Sequence, residues 1–211
     1  MTEIPDTWPP PISAAPIPMF PLPGVFLFPR QPLPLHVFEP RYRAMIEDSL
    51  DGPGRLALGT ILKGEEETAD YVPRVLPVAG LGEIARHDRL PDGRFMIILF
   101  GIGRVVLEEV ESDAPYRQVK VSPLPEIAAV EGQAHRLDER LREAIQTRVP
   151  SEIELPDVVP IEALIDLLCS RLEVDSPVME RIFVEPDVAR RAELALASHA
   201  DAGPPKTGED V

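Results

Sequence analysis

A chain of 211 residues, 44% hydrophobic and 27% charged, holds enough apolar material for one large domain or two small ones and too much for an intrinsically disordered segment. Its formal charge of −15 is uneven: residues 1–125 carry 12 basic against 17 acidic side chains, residues 126–211 carry 9 against 19. Such a surface repels phosphate backbones, which argues against nucleic acid as a partner.

The N-terminus, "MTEIPDTWPPPISAAPIPMF", has no basic start and its apolar stretch is broken by prolines, so it does not read as a secretory signal. No apolar run reaches the ~18–20 residues that cross a bilayer. The lone Cys169 excludes an intramolecular disulfide and fits a reducing compartment. The expected location is the cytoplasm, with no membrane association. Twelve of the 26 prolines fall in the first 40 residues, a density that forbids helix and favours extended chain. Residues 1–15 are expected to form a flexible arm. "IPMFPL" and "PLPLHVF" then read as two short strands joined by "PGVFLFPRQ".

After Phe38 the period changes. Tyr42, Met45, Ile46, Ser49 and Leu50 share one helical face, and "DGPG" at 51–54 ends that helix. Pro40 fits the first helical position, where its missing N–H is owed to no carbonyl, and Glu39 before it sits at the positive end of the helix dipole. Glu39, Pro40 and Tyr42 are therefore expected to hold a structural corner. From Arg55 to about Leu124, "RLALGTILK", "YVPRVLPVAGLGEIARH", "GRFMIILFG", "GRVVLEEV" and "YRQVKVSPL" are strand-like runs between turn formers. The Gly101–Gly103 pair reads as a hairpin with a bulge, and "FMIILF" as a strand covered on both faces or central in a closed barrel. Five to seven strands with one inserted helix fit a small barrel-like sheet.

Beyond "SPLPE" the pattern is helical. Val130, Ala134, Leu137, Leu141 and Ile145 make one stripe; Ile161, Leu164, Ile165, Leu168 and Leu172 a second. Val178, Met179, Ile182 and Phe183, then Val188, Ala192 and Ala195, make two shorter ones. The expected division is an arm at 1–15, a β domain at 16–125, a helical domain at 126–200 and a disordered tail at 201–211.

Catalytic chemistry finds no foothold. The sequence has no Walker loop, GxSxG elbow or HExxH pair. Its three lysines mark no Ser–Lys pair, and His36, His87, His135 and His199 lie in different elements. No catalytic residue, metal or cofactor is expected.

The order of segments resembles a known family. "PMFPLPGVFLFPRQPLPLHVFEPRYRAMIEDSL" is similar to the opening of the N-terminal domain of Lon proteases, with its strand, apolar "FP" turn, second strand and Phe-Glu-x-Arg-Tyr helix entry. "GLGEIARHDRLPDGRFMIILFGIGRVVLEEV" resembles that domain's second block, and "ALIDLLCSRLEVDSPVMERIFVEPDVARRAELAL" its helical end. The resemblance covers roughly residues 16–200. It implies an α+β fold, a small six-stranded PUA-like pseudo-barrel with one inserted helix followed by a C-terminal helical bundle. It also implies a role in binding protein chains. Full Lon proteases continue into ATPase and Ser-Lys peptidase modules, and neither is in this sequence; the expected protein is a stand-alone, non-enzymatic version.

Two functions from different classes follow. In the first, the chain is a polypeptide-binding module, an adaptor for unfolded or exposed apolar segments. Val25, Phe26, Leu27 and Phe28 are too many consecutive apolar residues for one strand face, and exposed apolar patches mark interaction sites. Val25, Phe26 and Phe28, rimmed by Arg30, Arg41 and Arg43, are the candidate protein-binding residues. The competing reading of the same loop is a plug, with the arginines in surface salt bridges. In the second function, by analogy with PUA-like barrels, Arg74, Arg86, Arg89 and Arg94 form a basic strip that binds RNA or a nucleotide derivative.

Overall fold

The computed structural model describes residues 12, 14–65, 72–150, 153 and 155–203. They form two compact units that part between Leu124 and Pro125. The first contains β1 (Ile17–Pro23), β2 (Pro32–Val37), α1 (Pro40–Leu50), β3 (Arg55–Ile61), β4 (Val78–Arg89), β5 (Phe95–Val110) and β6 (Gln118–Pro123). β1 runs parallel to β3 and antiparallel to β6. Antiparallel pairs link β3 to β4, β4 to β5, and β5 to β6, so pairing runs in a closed circuit through five strands. β2 joins from outside that circuit, antiparallel to the first half of β5.

The sequence separates the two faces of the sheet by alternation. Phe20, Leu56, Leu58, Phe95, Ile97 and Leu99 point to one face, where Tyr42, Met45 and Ile46 of α1 cover them. Met19, Ala57, Ala79, Leu81, Val105 and Val119 form a second cluster on the other. "FMIILF" is thus split: Phe95, Ile97 and Leu99 are core, while Met96 is 42% exposed and Ile98 and Phe100 are half-buried. Gly101 and Gly103 do not turn the chain. They lie inside the single 16-residue β5, where Ile102 is the extra residue of a bulge opposite Leu81–Gly82.

The glycines of β4 and β5 have a packing reason. The segment between β1 and β2 lies directly on the sheet, and a Cβ at Gly80 would overlap the Leu27 carbonyl, one at Gly101 the Phe28 carbonyl. Arg30 takes a left-handed φ of 62° there, and its N–H donates to the Gly101 carbonyl at 2.7 Å.

The second unit contains α2 (Glu131–Gln146), α3 (Ile161–Cys169), α4 (Ser176–Val184) and α5 (Val188–Ala202). Leu137, Leu141 and Ile145 of α2, Leu164, Ile165 and Leu168 of α3, Ile182 and Phe183 of α4, and Val188, Ala192 and Ala195 of α5 are buried. Val130 heads the first expected stripe but is the N-cap of α2 and 70% exposed. Arg191, 1% exposed, donates to Glu126 at 2.6 Å and lies 3.9 Å from the buried Asp166. Ile127 adds a parallel bridge to Asp187. The helix stop expected at 200 is two residues short, since α5 runs through Ala202; residues 204–211 lie outside the described residues. So does most of the expected arm, but Ile12 packs against the second core cluster.

Candidate functional site

The corner between β2 and α1 is built by residues 36–43. Glu39 is the extended N-cap of α1 (φ −65°, ψ 137°), and its carbonyl accepts the first helical bond from the Arg43 N–H at 2.9 Å. Its side chain makes no cap. The carboxylate instead accepts from Arg41 Nη2 at 2.8 Å and Nε at 3.1 Å. The Arg41 guanidinium lies 4.4 Å above the centre of the Tyr42 ring. Tyr42, only 5% exposed, also packs on Phe20, with ring centroids 4.6 Å apart and the rings tilted by 44°. One buried aromatic thus anchors a half-exposed ion pair.

Two hollows flank this ridge, and Tyr42 lines both. One, about 300 Å³, is walled by Pro21, Leu22, Pro23 and Ile61 and edged by Glu39 and Glu65. The other, about 310 Å³, lies between Arg41 and the β5–β6 connection, with Glu109, Ser112, Tyr116 and Arg117 in its lining. Tyr116 donates to Asp48 at 2.7 Å, and burial followed by that carboxylate pushes its pKa up to about 12, so it acts there as a neutral donor. Arg117 is paired with Glu109 and donates to the Pro73 carbonyl at 2.9 Å.

The sequence-expected binding residues do not assemble into one patch. Phe28 is 3% exposed and Leu27 1%, because their backbone is seated on Gly80 and Gly101; Phe28 is a core residue, not an exposed anchor. Val25 is half-buried against the core, with its carbonyl taken by Thr60 Oγ1 at 2.6 Å. Phe26 and Arg30 keep partial exposure, and Arg30 is fixed by backbone geometry in the same loop. Arg41 does reach the surface, at the ridge. Arg43 does not point freely to solvent: its guanidinium lies over Gly93 in the β4–β5 turn, and its Nε is buried without a hydrogen-bond partner among the described residues. The 100° helical step carries Arg43 away from Tyr42, but toward that turn.

The arginines of the expected basic strip are each matched by a carboxylate. Arg74 pairs with Glu65 at 2.6 Å, Arg86 with Asp88 at 3.3 Å, Arg89 with Glu47 at 2.8 Å and Arg94 with Asp92 at 2.7 Å. Phosphate binding needs net positive charge, which this alternation cancels. Among the described residues there is no cluster of three His, Cys, Asp or Glu side chains that could hold a metal. No helix among them is long and apolar enough to cross a membrane.

One residue at the corner escaped the sequence reading. Phe38 is 59% exposed, its ring tilted against His36 at 5.8 Å. The signal was present: Leu33, Leu35 and Val37 face inward, so period two puts Pro32, Pro34, His36 and Phe38 on the outer side.

Comparison with known proteins agrees with this architecture. Residues 16–198 match the model of the ATP-dependent protease La (LON) substrate-binding domain. The Lon protease of Syntrophomonas wolfei is 25% identical over 186 residues, covering 83% of this chain and 22% of the relative. That of Desulfovibrio desulfuricans is 25% identical over 239 residues, covering 100% of this chain and 26% of the relative. The chain therefore spans about a quarter of the length of these relatives. The N-terminal domain of Mycobacterium avium complex Lon protease superposes with a TM-score of 0.68 at 17% identity, covering 89% of this chain and 99% of that one. A Lon N-terminal domain protein from Xanthomonas campestris gives 0.60 at 22% identity, covering 87% and 98%. At those identities the solved structures speak for the fold alone, and the family follows from the match along the sequence: this chain belongs to the Lon substrate-binding-domain family.

Proposed function

We propose that the protein is a non-catalytic module that binds polypeptide, in the manner of an adaptor for unfolded or exposed apolar segments, and that the β2–α1 corner is its binding surface. The observation that carries the reading is the family match to a substrate-binding domain over residues 16–198, joined to an exposed aromatic, Phe38, that precedes Glu39 at the edge of one of the hollows. Phe38 supplies apolar area, Arg41 a guanidinium backed by an aromatic ring, and Tyr42 the rigid wall between the hollows. Aromatic and arginine side chains on a fixed frame are what binding hot spots are made of. Phe26 and Arg30 extend the surface; Val25, Phe28 and Arg43 support it. The sequence lacks the phosphate cradle and Ser–Lys pair of the full proteases, so the module engages chains rather than cutting them. In finer terms we read the first unit as a PUA-like pseudo-barrel and the second as a helical bundle, each a domain, acting in the cytoplasm.

Fluorescence anisotropy of a labelled, permanently unfolded polypeptide tests the reading. The protein should bind it, and Phe38→Ser should weaken binding by about five-fold or more, as loss of a hot-spot aromatic does. Its melting should move by no more than about 0.5 kcal/mol, because the ring is already largely in solvent. Absence of binding to any unfolded chain would remove the function.

A further inference from the structure

β2 and the outer half of β4 are both edges of the sheet, and their backbones differ. β2 pairs only with β5, and β4 pairs with β3 only from Gly80 to Glu83. At the next residue the Ile84 N–H donates to the Gly54 carbonyl at 2.8 Å, just before β3 begins at Arg55. Beyond that bond, Ala85 to Arg89 have β5 on one side and no strand on the other, and all are exposed.

The ladder fixes which groups point outward. Leu90 N–H donates to the Arg94 carbonyl at 2.8 Å, so Leu90 and, at every second residue before it, Asp88 and Arg86 turn their N–H and C=O groups to β5. Those of His87 and Arg89 therefore point away from it, toward the open edge. β2 gives the same phase independently. Pro32 and Pro34 have no N–H to exchange, so their partners Phe100 and Ile98 turn their groups toward β4, where Ile98 meets Arg86. Among the described residues no hydrogen bond reaches the outward groups of His87 and Arg89. The Arg89 side chain is drawn onto the α1 face, over the Phe95 ring at 5.5 Å and to Glu47 at 2.8 Å. On β2 the corresponding outward positions are Pro32, Pro34 and His36, so that edge has a donor only at His36.

We infer that the outer edge of β4 takes an extended segment of bound polypeptide as an added strand, hydrogen-bonded to His87 and Arg89. The inference rests on the polypeptide-binding reading and names how the bound backbone is held. Outward groups recurring every second residue, about 7 Å apart, match the step of a strand, and a partner must bring a donor and an acceptor to each. Polypeptide backbone has both whatever its side chains, which suits unfolded segments of no fixed sequence. The charged side chains take no part: Arg86 stays with Asp88 at 3.3 Å and Arg89 with Glu47.

The labelled unfolded polypeptide is the probe. His87→Pro deletes an outward N–H and puts a ring in the path of the added strand, while the β4–β5 ladder stays intact, as β2 shows with Pro32 and Pro34. It should weaken binding by about five-fold or more, the loss of a backbone hydrogen bond and of the ladder next to it. His87→Gln, which keeps the N–H, should bind like the parent. Equal binding by a folded His87→Pro, or an equal loss in His87→Gln, would overturn the inference and leave polypeptide binding standing. Amide exchange in the parent protein reads the same contact without a variant: saturating polypeptide should slow His87 and Arg89, and unchanged exchange at both would overturn it as well. A parent dimer that His87→Pro converts to monomer, with polypeptide binding unaffected, would give the edge to a second copy instead. No binding of the unfolded chain by the parent would remove both this inference and the reading beneath it.

Discussion

Single residues decide whether the corner is rigid, and Gly93 shows how. Its φ of 82° is in the left-handed region, and a methyl group there would overlap Arg43 Nη2. Gly93→Ala should therefore cost more than about 1 kcal/mol, from the backbone alone and then from displacing the arginine. Adding Arg43→Ala should recover the second part only. Denaturant titration of the single and double variants measures this; a double variant no more stable than Gly93→Ala would show that displacing Arg43 costs nothing. Tyr42 and the Glu39-Pro40 start were legible in the sequence, because a helical stripe and a proline at its first position have few other meanings. The fate of Arg43 was not. Helical phase says that it leaves the Tyr42 face, but not that a turn fifty residues later rises to meet it.

Whole elements were read well where their signal is local and poorly where it comes from packing. Period and turn chemistry marked α1, β1, β2, β3 and the four helices of the second unit. The same logic divided β5 in two at Gly101–Gly103, since glycine pairs usually mark turns. Gly101 answers to Phe28, some seventy residues upstream, whose backbone needs a sheet surface without a Cβ atom, as Gly80 in β4 answers to Leu27. The burial of Phe28 and the continuity of β5 are one fact, and both were hidden for that reason.

At the end of α5 a contact between elements carries a pH dependence. Arg148, just beyond α2, donates from Nε to His199 Nδ1 at 2.7 Å and from Nη2 to the carbonyls of His199 at 3.3 Å and Gly203 at 2.7 Å. It closes the C-terminal turn, whose carbonyls have no helical N–H to meet. Burial, and then the charge of Arg148, hold the imidazolium of His199 below its ordinary pKa of 6.5. A depressed folded-state pKa means that its contribution is complete above about 6.5 and is lost as pH falls below it. Melting followed between pH 7.5 and 5 should show the turn weakening on acidification. His199→Gln should flatten that part of the profile, and an unchanged slope in that variant would contradict the assignment.

For the whole molecule, we read the β2–α1 corner of the first unit as the surface that meets polypeptide. Charge fits that reading: the corner mixes both signs with apolar surface, whereas residues 126–211 carry 9 basic against 19 acidic side chains. Hydrogen exchange with and without a saturating unfolded polypeptide tests that claim most directly. Binding at the corner predicts slowed exchange at the N–H groups of residues 36–43, Ile61 to Glu65 and Ser112 to Gln118. Protection confined to the helices, with the corner exchanging as before, would contradict it.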